Sequence, residues 1–386
     1  MSRVLLVAAP FAAHLVPLVA IGRELAARGH AVAWVTHSSL RHLLPPAATL
    51  FDTPADADAR AITARGRERP PRFGAAEVTW FYDEILRPLA RAMAADVDAA
   101  VRAFAPDVIV ADQHALAGAF AARRHGVRWA TSAATGIAQL DPADEHPALR
   151  RWLAAWHAEE EAAAGLPRSE HADLSPSLVL LYTSRYLAGT AAPPPAFRFV
   201  GPPLARRIEN DDFPWPALRP CPRVLVSLGS VVAGSAHRFF AALCAALRDV
   251  DLQVLVSAPP GVLADAPANF VVRPWLPQLA LFPHVQAVLT HGGSTALDAL
   301  AFDLPQVVAP VWTDNFITAG KLVASGAAVR VRYGRASAHD LHEAVQAVLH
   351  DERYRAQARV AGASLRDAGG TAAAADHVVA LAQAPR

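Results

Sequence analysis

Arg3-Val-Leu-Leu-Val7 opens the chain, and Arg223-Val-Leu-Val-Ser227 repeats it at the start of the second half. Each run is apolar and β-rich and leads through small residues into a helical pattern. Outward from the first, strands are expected at Val4–Ala8, Ala31–Thr36, Asp107–Ala111, Val127–Ser132 and Leu178–Thr183. Helical patterns fill Leu18–Arg28, Val78–Phe104, His114–His125 and Ala148–Ala164. From the second run, strands are expected at Val224–Leu228, Gln253–Ser257, Phe270–Val272, Ala287–Thr290, Gln306–Ala309 and Ala327–Arg332. Their helices are Ala236–Arg248, Thr295–Ala301, Ile317–Ser325, Ala338–Leu349 and Tyr354–Leu365. Strands that alternate with helices and are apolar along their length belong in parallel sheets covered on both faces. The fold class is therefore α/β: two doubly wound, Rossmann-like domains facing a cleft, with ligands at the carboxyl ends of the strands. Pro202–Pro222 carries six prolines and the run Glu209-Asn-Asp-Asp212, the composition of a linker. The expected domains are 1–203 and 223–386, joined by 204–222, with the last helix able to pack back on the first domain.

Composition narrows the function. Apolar residues make up 53% of the 386 and charged residues 18%, so a large core is available and disorder is not expected. Thirty-six basic side chains oppose 35 acidic ones for a net charge of +1. The balance holds in each half, so a nucleic-acid partner is not expected. Lys321 is the only lysine, which with the abundance of alanine reads as the codon bias of a GC-rich genome. Cys221 and Cys244 form no CxxC or zinc spacing, and a reducing, cytoplasmic compartment suits them. Arg3 followed by Val4–Ala13 faintly resembles a signal peptide, but the helical pattern beyond His14 and Pro17 suits a mature domain better. No run reaches the roughly 18 apolar residues of a membrane span.

The chemistry concentrates between Trp275 and Lys321. The sequence there includes Trp275-Leu-Pro-Gln278, Thr290-His-Gly-Gly-Ser-Thr-Ala-Leu-Asp298, Leu304-Pro305 and Pro310-Val-Trp-Thr-Asp-Asn315. A strand ending at Thr290, a glycine turn and a helix beginning near Ser294 make a site where phosphate can approach the backbone N–H groups. His291 can add a side-chain donor, and Ser294 or Thr295 is the expected N-cap. Local readings exist for the same residues: Trp275 in a core, Asp298 paired on its own helix, Asp314-Asn315 as a turn before a helix.

This ordered set, with the Phe199-Val-Gly-Pro202 lead into the linker and Val226-Ser-Leu-Gly-Ser230 after it, resembles the UDP-glycosyltransferase superfamily over essentially the whole chain. Within it the chain looks like the bacterial natural-product branch that includes macrolide and carotenoid glycosyltransferases. The resemblance implies the two-domain GT-B fold. It implies that Trp275 stacks on the nucleobase and that Leu276 and Gln278 frame the base and ribose. His291, Gly292, Gly293, Ser294, Thr295 and Ser230 would hold the diphosphate, Asp298 the ribose hydroxyls, and Asp314 with Asn315 the sugar. Each implied role has a physical reason. A flat indole suits a pyrimidine, and a carboxylate on two vicinal hydroxyls favours UDP over TDP. Two positions depart from the family pattern. His291 and Asp298 are seven apart, one fewer than usual, and one residue turns a helical side chain by roughly 100°. Asn315 replaces the usual glutamine, which points to a donor sugar other than glucose.

His14, in Ala9-Pro-Phe-Ala-Ala-His-Leu-Val-Pro17, follows the first strand. Family members have a histidine three residues before a proline there, and by that resemblance His14 is the catalytic base. Asp112, ending Asp107-Val-Ile-Val-Ala-Asp112, is its expected carboxylate, fixing the tautomer and stabilising the imidazolium. His114 is a nearby competitor for a polar role. Phe11, Trp80, Phe81 and Ile85 are candidates for an apolar acceptor wall, although the last three have the spacing of core residues.

The expected reaction is an inverting, metal-independent transfer of a sugar from a nucleotide-sugar to a hydroxyl of an apolar small molecule. No cofactor and no metal are called for; Asp56-Ala-Asp58 and Asp96-Val-Asp98 read as solvated segments. Nothing in the composition opposes a homodimer. Three rival readings remain. Gly229-Ser-Val-Val-Ala-Gly-Ser235 has phosphate-loop spacing but lacks the lysine. A nucleotide-sugar epimerase would share the fold, and a catalytically inactive partner subunit would share the motifs.

Overall fold

In the first sheet, seven parallel strands run in the order β3-β2-β1-β4-β5-β6-β7. The computed structural model describes residues 1–54, 74–136, 147–189, 193–205, 212–229, 236–311 and 313–385. The chain begins with β1 (Arg3–Val7), α1 (Ala12–Ala27), β2 (Ala31–Thr36) and β3 (Thr49–Asp52). It continues through α2 (Ala75–Phe81), a π-helical turn at Tyr82–Leu86 and α3 (Arg87–Phe104). Next come β4 (Val108–Asp112), α4 (Leu116–Arg124), β5 (Arg128–Ala133), α5 (Pro147–Ala163), β6 (Val179–Leu181) and β7 (Phe197–Phe199). Successive β1 side chains point to opposite faces. Leu5 and Val7 join the core under α3 and α4, while Val4 and Leu6 join the one under α1.

The second sheet has six parallel strands in the order β10-β9-β8-β11-β12-β13. After α6 (Arg185–Ala188), the elements are β8 (Arg223–Ser227), α7 (His237–Leu247), β9 (Gln253–Ser257), β10 (Phe270–Arg273) and α8 (Gln278–Leu281). Then follow β11 (Ala287–Thr290), α9 (Ser294–Leu300), β12 (Gln306–Val308), α10 (Thr313–Ala324), β13 (Ala328–Arg330), α11 (Ala338–His350) and α12 (Glu352–Asp367). Each sheet reverses its order once, between β1 and β4 and between β8 and β11. Such reversals leave a crevice beyond the strand ends.

Two compact units result: Met1–Tyr182 with Thr190–Ile208 and Ala368–Arg386, and Thr183–Gly189 with Glu209–Asp367. The break near 208 lies within 204–222, and one segment, α6, lies on the other side of the expected division. Helix α6 joins the second unit, where Ser184 bonds Ser364 at 2.8 Å. Helix α13 (Gly370–Gln383) joins the first, lying against α1, β4 and β5. Its Ala374, Ala375 and Val378 are fully buried. The Gly370 N–H donates to the Val200 carbonyl at 2.6 Å, and Arg128 donates to the Ala382 carbonyl at 3.1 Å.

Some expected elements change at their ends. Helix α1 starts at Ala12, not Leu18, and carries Pro17 inside it. The expected helix Val78–Phe104 starts at Ala75 and is interrupted by the π turn. Helix α10 starts at Thr313, so Asp314 and Asn315 lie in its first turn and not ahead of it. Among the described residues, no helix is long and apolar enough to cross a membrane.

The position of α13 yields a prediction. Val378→Asp would bury an unpaired carboxylate in the first unit's core, and a loss of more than about 3 kcal/mol in urea unfolding is expected. A change under about 1 kcal/mol would mean that α13 is not part of that core.

Candidate active site

The order reversal of the first sheet brings together the ends of β1 and β4. His14 lies in the first turn of α1, just after β1, and Asp112 is the last residue of β4. His14 Nδ1 and Asp112 Oδ1 are 2.9 Å apart, and the Ala9 N–H donates to Asp112 Oδ2 at 3.2 Å. The Asp112 side chain is fully enclosed. Burial pushes its carboxyl up, but His14 by charge and hydrogen bond, His114 by charge and the Ala9 N–H outweigh it, so the group stays below the usual range. An ionised carboxylate only accepts, so Nδ1 carries the hydrogen and a neutral His14 presents its Nε2 lone pair.

Aromatic rings surround the pair. Phe11 is 5.6 Å from the His14 ring and His114 is 4.6 Å from it. Phe81 meets His114 edge-on at 5.2 Å. Burial, and then the charge of His14, push the His114 imidazole down to about 3, so it stays neutral. Trp80 packs against the same core while partly exposed, whereas Ile85 is buried within it. Ile85 is therefore a core residue held by the π turn. Asp98 pairs with Arg124 at 3.1 Å and His125 at 3.0 Å on the helix surface. Asp56-Ala-Asp58 lies outside the described residues.

At the reversal of the second sheet, His291 follows β11 and Gly229 follows β8. The imidazole is clamped: a Cβ on Gly293 would fall 2.6 Å from Nε2, and one on Gly229 2.8 Å from Cε1. Gly292 completes the turn at φ +85°, where a Cβ would meet the Asn315 carbonyl at 2.9 Å. Burial pushes His291 down to about 4 against a raising bond from the Ser227 backbone, and its buried Nδ1 has no hydrogen-bond partner among the described residues. The ring is thus neutral near pH 7.

Around it, Gln278 Nε2 donates to Ser227 Oγ at 3.0 Å, and Thr295 Oγ1 donates to Gln278 Oε1 at 3.0 Å. The N-cap of α9 is Gly293, with no side-chain cap bond, which corrects the expected Ser294 or Thr295 cap. Exposed Ser294 opens the helix, and buried Asp298 lies one turn below it. Trp275, after β10, is 51% exposed and offers a flat apolar face; Leu276 beside it is buried in the core. Asn315 is buried and its Nδ2 donates to Asp314 Oδ2 at 3.3 Å. Ser230 and the rest of the phosphate-loop-like run after Gly229 lie outside the described residues. Ser227 was passed over although it stands in the same Val226-Ser-Leu-Gly-Ser230 motif; its place at the end of a central strand was the signal.

The chain is similar to known proteins along most of its length. Residues 223–363 match the family described as UDP-glucoronosyl and UDP-glucosyl transferase. The 4'-demethylrebeccamycin synthase of Lentzea aerocolonigenes is 30% identical over 407 residues, covering 95% of each chain. An uncharacterized UDP-glucosyltransferase of Bacillus subtilis, YojK, is 32% identical over 186 residues, and that match spans 47% of this chain and 46% of its own. A crystal structure of the glycotransferase of kitacinnamycin superposes with a TM-score of 0.76 at 25% identity, covering 98% of this chain and 99% of its own.

Two predictions follow from the clamped, neutral rings. Gly293→Ala must displace His291, and nucleotide diphosphate affinity measured by calorimetry is expected to fall by about tenfold or more; unchanged affinity would remove the ring from the anion site. Both histidines ordinarily titrate near 6.5 but are held to about 3 and 4. The unfolded chain therefore binds protons that the folded chain refuses, and stability is lost as pH falls from 6.5 towards 4. His291→Gln should lose less stability than the native chain over that window in urea titrations. An identical slope would mean that the ring titrates normally.

Proposed function

The chain belongs to the UDP-glycosyltransferase superfamily, and on that premise we propose that it transfers a sugar from a nucleotide-sugar to a hydroxyl of a hydrophobic small-molecule natural product. The reading includes inversion at the anomeric carbon, UDP in preference to TDP, and no metal. The observation that carries it is the buried His14–Asp112 pair at the reversal of the first sheet.

His14 Nε2 takes the acceptor's proton as the oxygen forms its bond to the anomeric carbon. The bond from that carbon to the diphosphate oxygen breaks on the opposite face, which inverts the centre. Asp112 stays ionised and compensates the new imidazolium, so the proton moves between His14 and the acceptor without leaving a buried charge unpaired. The departing diphosphate gains negative charge. The neutral His291 ring, the backbone N–H groups of the Gly292-Gly293 turn and the Ser294 hydroxyl supply fixed dipoles for it, while Thr295, whose hydroxyl hydrogen goes to Gln278, holds that amide in place. Such donors need no rearrangement as charge develops, which supports a metal-free scheme. Exposed Trp275 suits a nucleobase, and Asp314 with Asn315 suits the sugar hydroxyls. Asp298, beneath Ser294, is the group that would tell a ribose from a deoxyribose. Phe11, Trp80 and Phe81 line the acceptor side. Cys221 and Cys244 are both free thiols, which suits the cytoplasmic placement.

His14→Ala is expected to lower transfer by about 10²–10⁴-fold while UDP still binds; full turnover would remove His14 as the base. Activity should survive exhaustive chelation, and a loss restored by Mg²⁺ would overturn the metal-free scheme. Asp298→Asn should weaken UDP more than TDP in parallel titrations, whereas equal losses would take the ribose away from it.

A further inference from the structure

His114 lies against the base with its ring sealed from solvent. It is 3% exposed, and both ring nitrogens are buried without a hydrogen-bond partner among the described residues. The ring therefore touches no substrate. A phenylalanine or leucine would fill such a place without burying two unpaired polar atoms, which destabilise the fold. The ring is nevertheless held firmly. It follows Asp112 by two residues, in a turn where the Ala115 N–H donates to the Asp112 carbonyl at 2.8 Å and the Gln113 N–H to the Ser132 carbonyl at 3.0 Å. Gln113 Nε2 also donates to Asp173 Oδ2 at 2.9 Å. Phe81 meets the His114 ring edge-on at 5.2 Å, and the His14 ring is 4.6 Å away with the two planes 32° apart. A neutral imidazole fixed in this way is a permanent dipole beside the one ring that gains charge in the reaction.

We propose that His114 is a positioning residue for the base: the dipole of its neutral ring stabilises the imidazolium that His14 becomes on taking the acceptor's proton. The inference rests on the reading of His14 as the base. Neither His114 nitrogen is committed to a partner, so the fields of Asp112 and His14 choose its tautomer and set the lone pair towards the positive charge. The dipole is in place before the proton moves and needs no rearrangement. In such enclosed surroundings it acts more strongly than it would in water. Two cationic rings 4.6 Å apart would repel, and His114 is the one that stays neutral: burial, and then the charge of His14, hold it down to about 3. Asp112 meets His14 from the Nδ1 side at 2.9 Å, and the field of Asp173 also reaches His114. The carboxylate thus fixes the hydrogen on His14, and the second imidazole favours the charge that arrives.

Two readouts on the full chain test this. Histidine NMR titration follows the proton on His14 without any transfer, its signal being the one missing from His14→Ala. In His114→Phe, which keeps a ring and removes the dipole, His14 should release its proton about one pH unit lower than in the native chain, a tenfold change in proton affinity. Transfer from UDP-glucose and TDP-glucose to 2-naphthol is followed by mass detection. In His114→Phe kcat should fall by about tenfold with KM within about threefold, while urea unfolding shows no loss of stability, because two unpaired polar atoms have left the core. A merely structural role would lower stability and kcat together. Added to His14→Ala, the same substitution should lower the residual rate by less than about twofold. His114→Asn and His114→Gln place an amide near one or the other ring nitrogen. The better of them should keep the His14 titration and kcat near native, and the pair covers the case in which the phenylalanine variant does not fold. An unshifted His14 titration in His114→Phe, or a further tenfold loss in the His14→Ala background, overturns the proposal. Full turnover by His14→Ala with a shifted titration would sink the base reading and leave the dipole effect standing; loss in His14→Ala with an unshifted titration would do the reverse.

Discussion

The hydrogen bond between His14 and Asp112 joins residues 98 apart in sequence, and it exists because β1 and β4 are neighbours. In a doubly wound sheet the chain leaves these two strands in opposite directions, so the loops that follow them diverge and leave room for side chains to meet. Breaking the pair would strand a buried carboxylate, at a cost of about 3–5 kcal/mol. The second unit uses the same reversal, between β8 and β11, to seat His291 against Gly229.

The two crevices follow opposite electrical logic. In the first unit a carboxylate is kept ionised in a buried place against a neighbouring imidazole. In the second the imidazole is held neutral, and the groups around it are hydroxyls, an amide and backbone N–H groups. The near-zero net charge of the chain is consistent with this. A site that meets an anion with dipoles can bind it without the cationic cluster that would hold the product too firmly.

The parallel sheets were legible because β-rich runs such as Leu5-Leu6-Val7 and Val108-Ile109-Val110 are apolar on both faces. Strands β3 and β7 were not, because they are four- and three-residue elements with half-exposed patterns. Pro17 hid the start of α1, since proline inside a helix normally reads as a break. Trp275, Gln278, His291 and the glycine turn were legible through their order along the chain. The spacing of Ser227 from Gln278, and of His14, His114 and Asp173 from one another, is set by tertiary packing and leaves no mark in local pattern. The placement of α6 in the second unit was invisible for the same reason, because helix periodicity records that a face is buried and not against what.

Helix α13 has a consequence for how the protein is made. The first unit's core lacks Ala374, Ala375 and Val378 until residues that follow every element of the second unit have been made. The N-terminal unit therefore completes its core only after the whole second unit has been made, reversing the usual order in which domains mature. Through much of synthesis, the part of α1 that α13 will cover stays uncovered. Chaperone demand should thus follow the N-terminal unit, although it is the first to be translated.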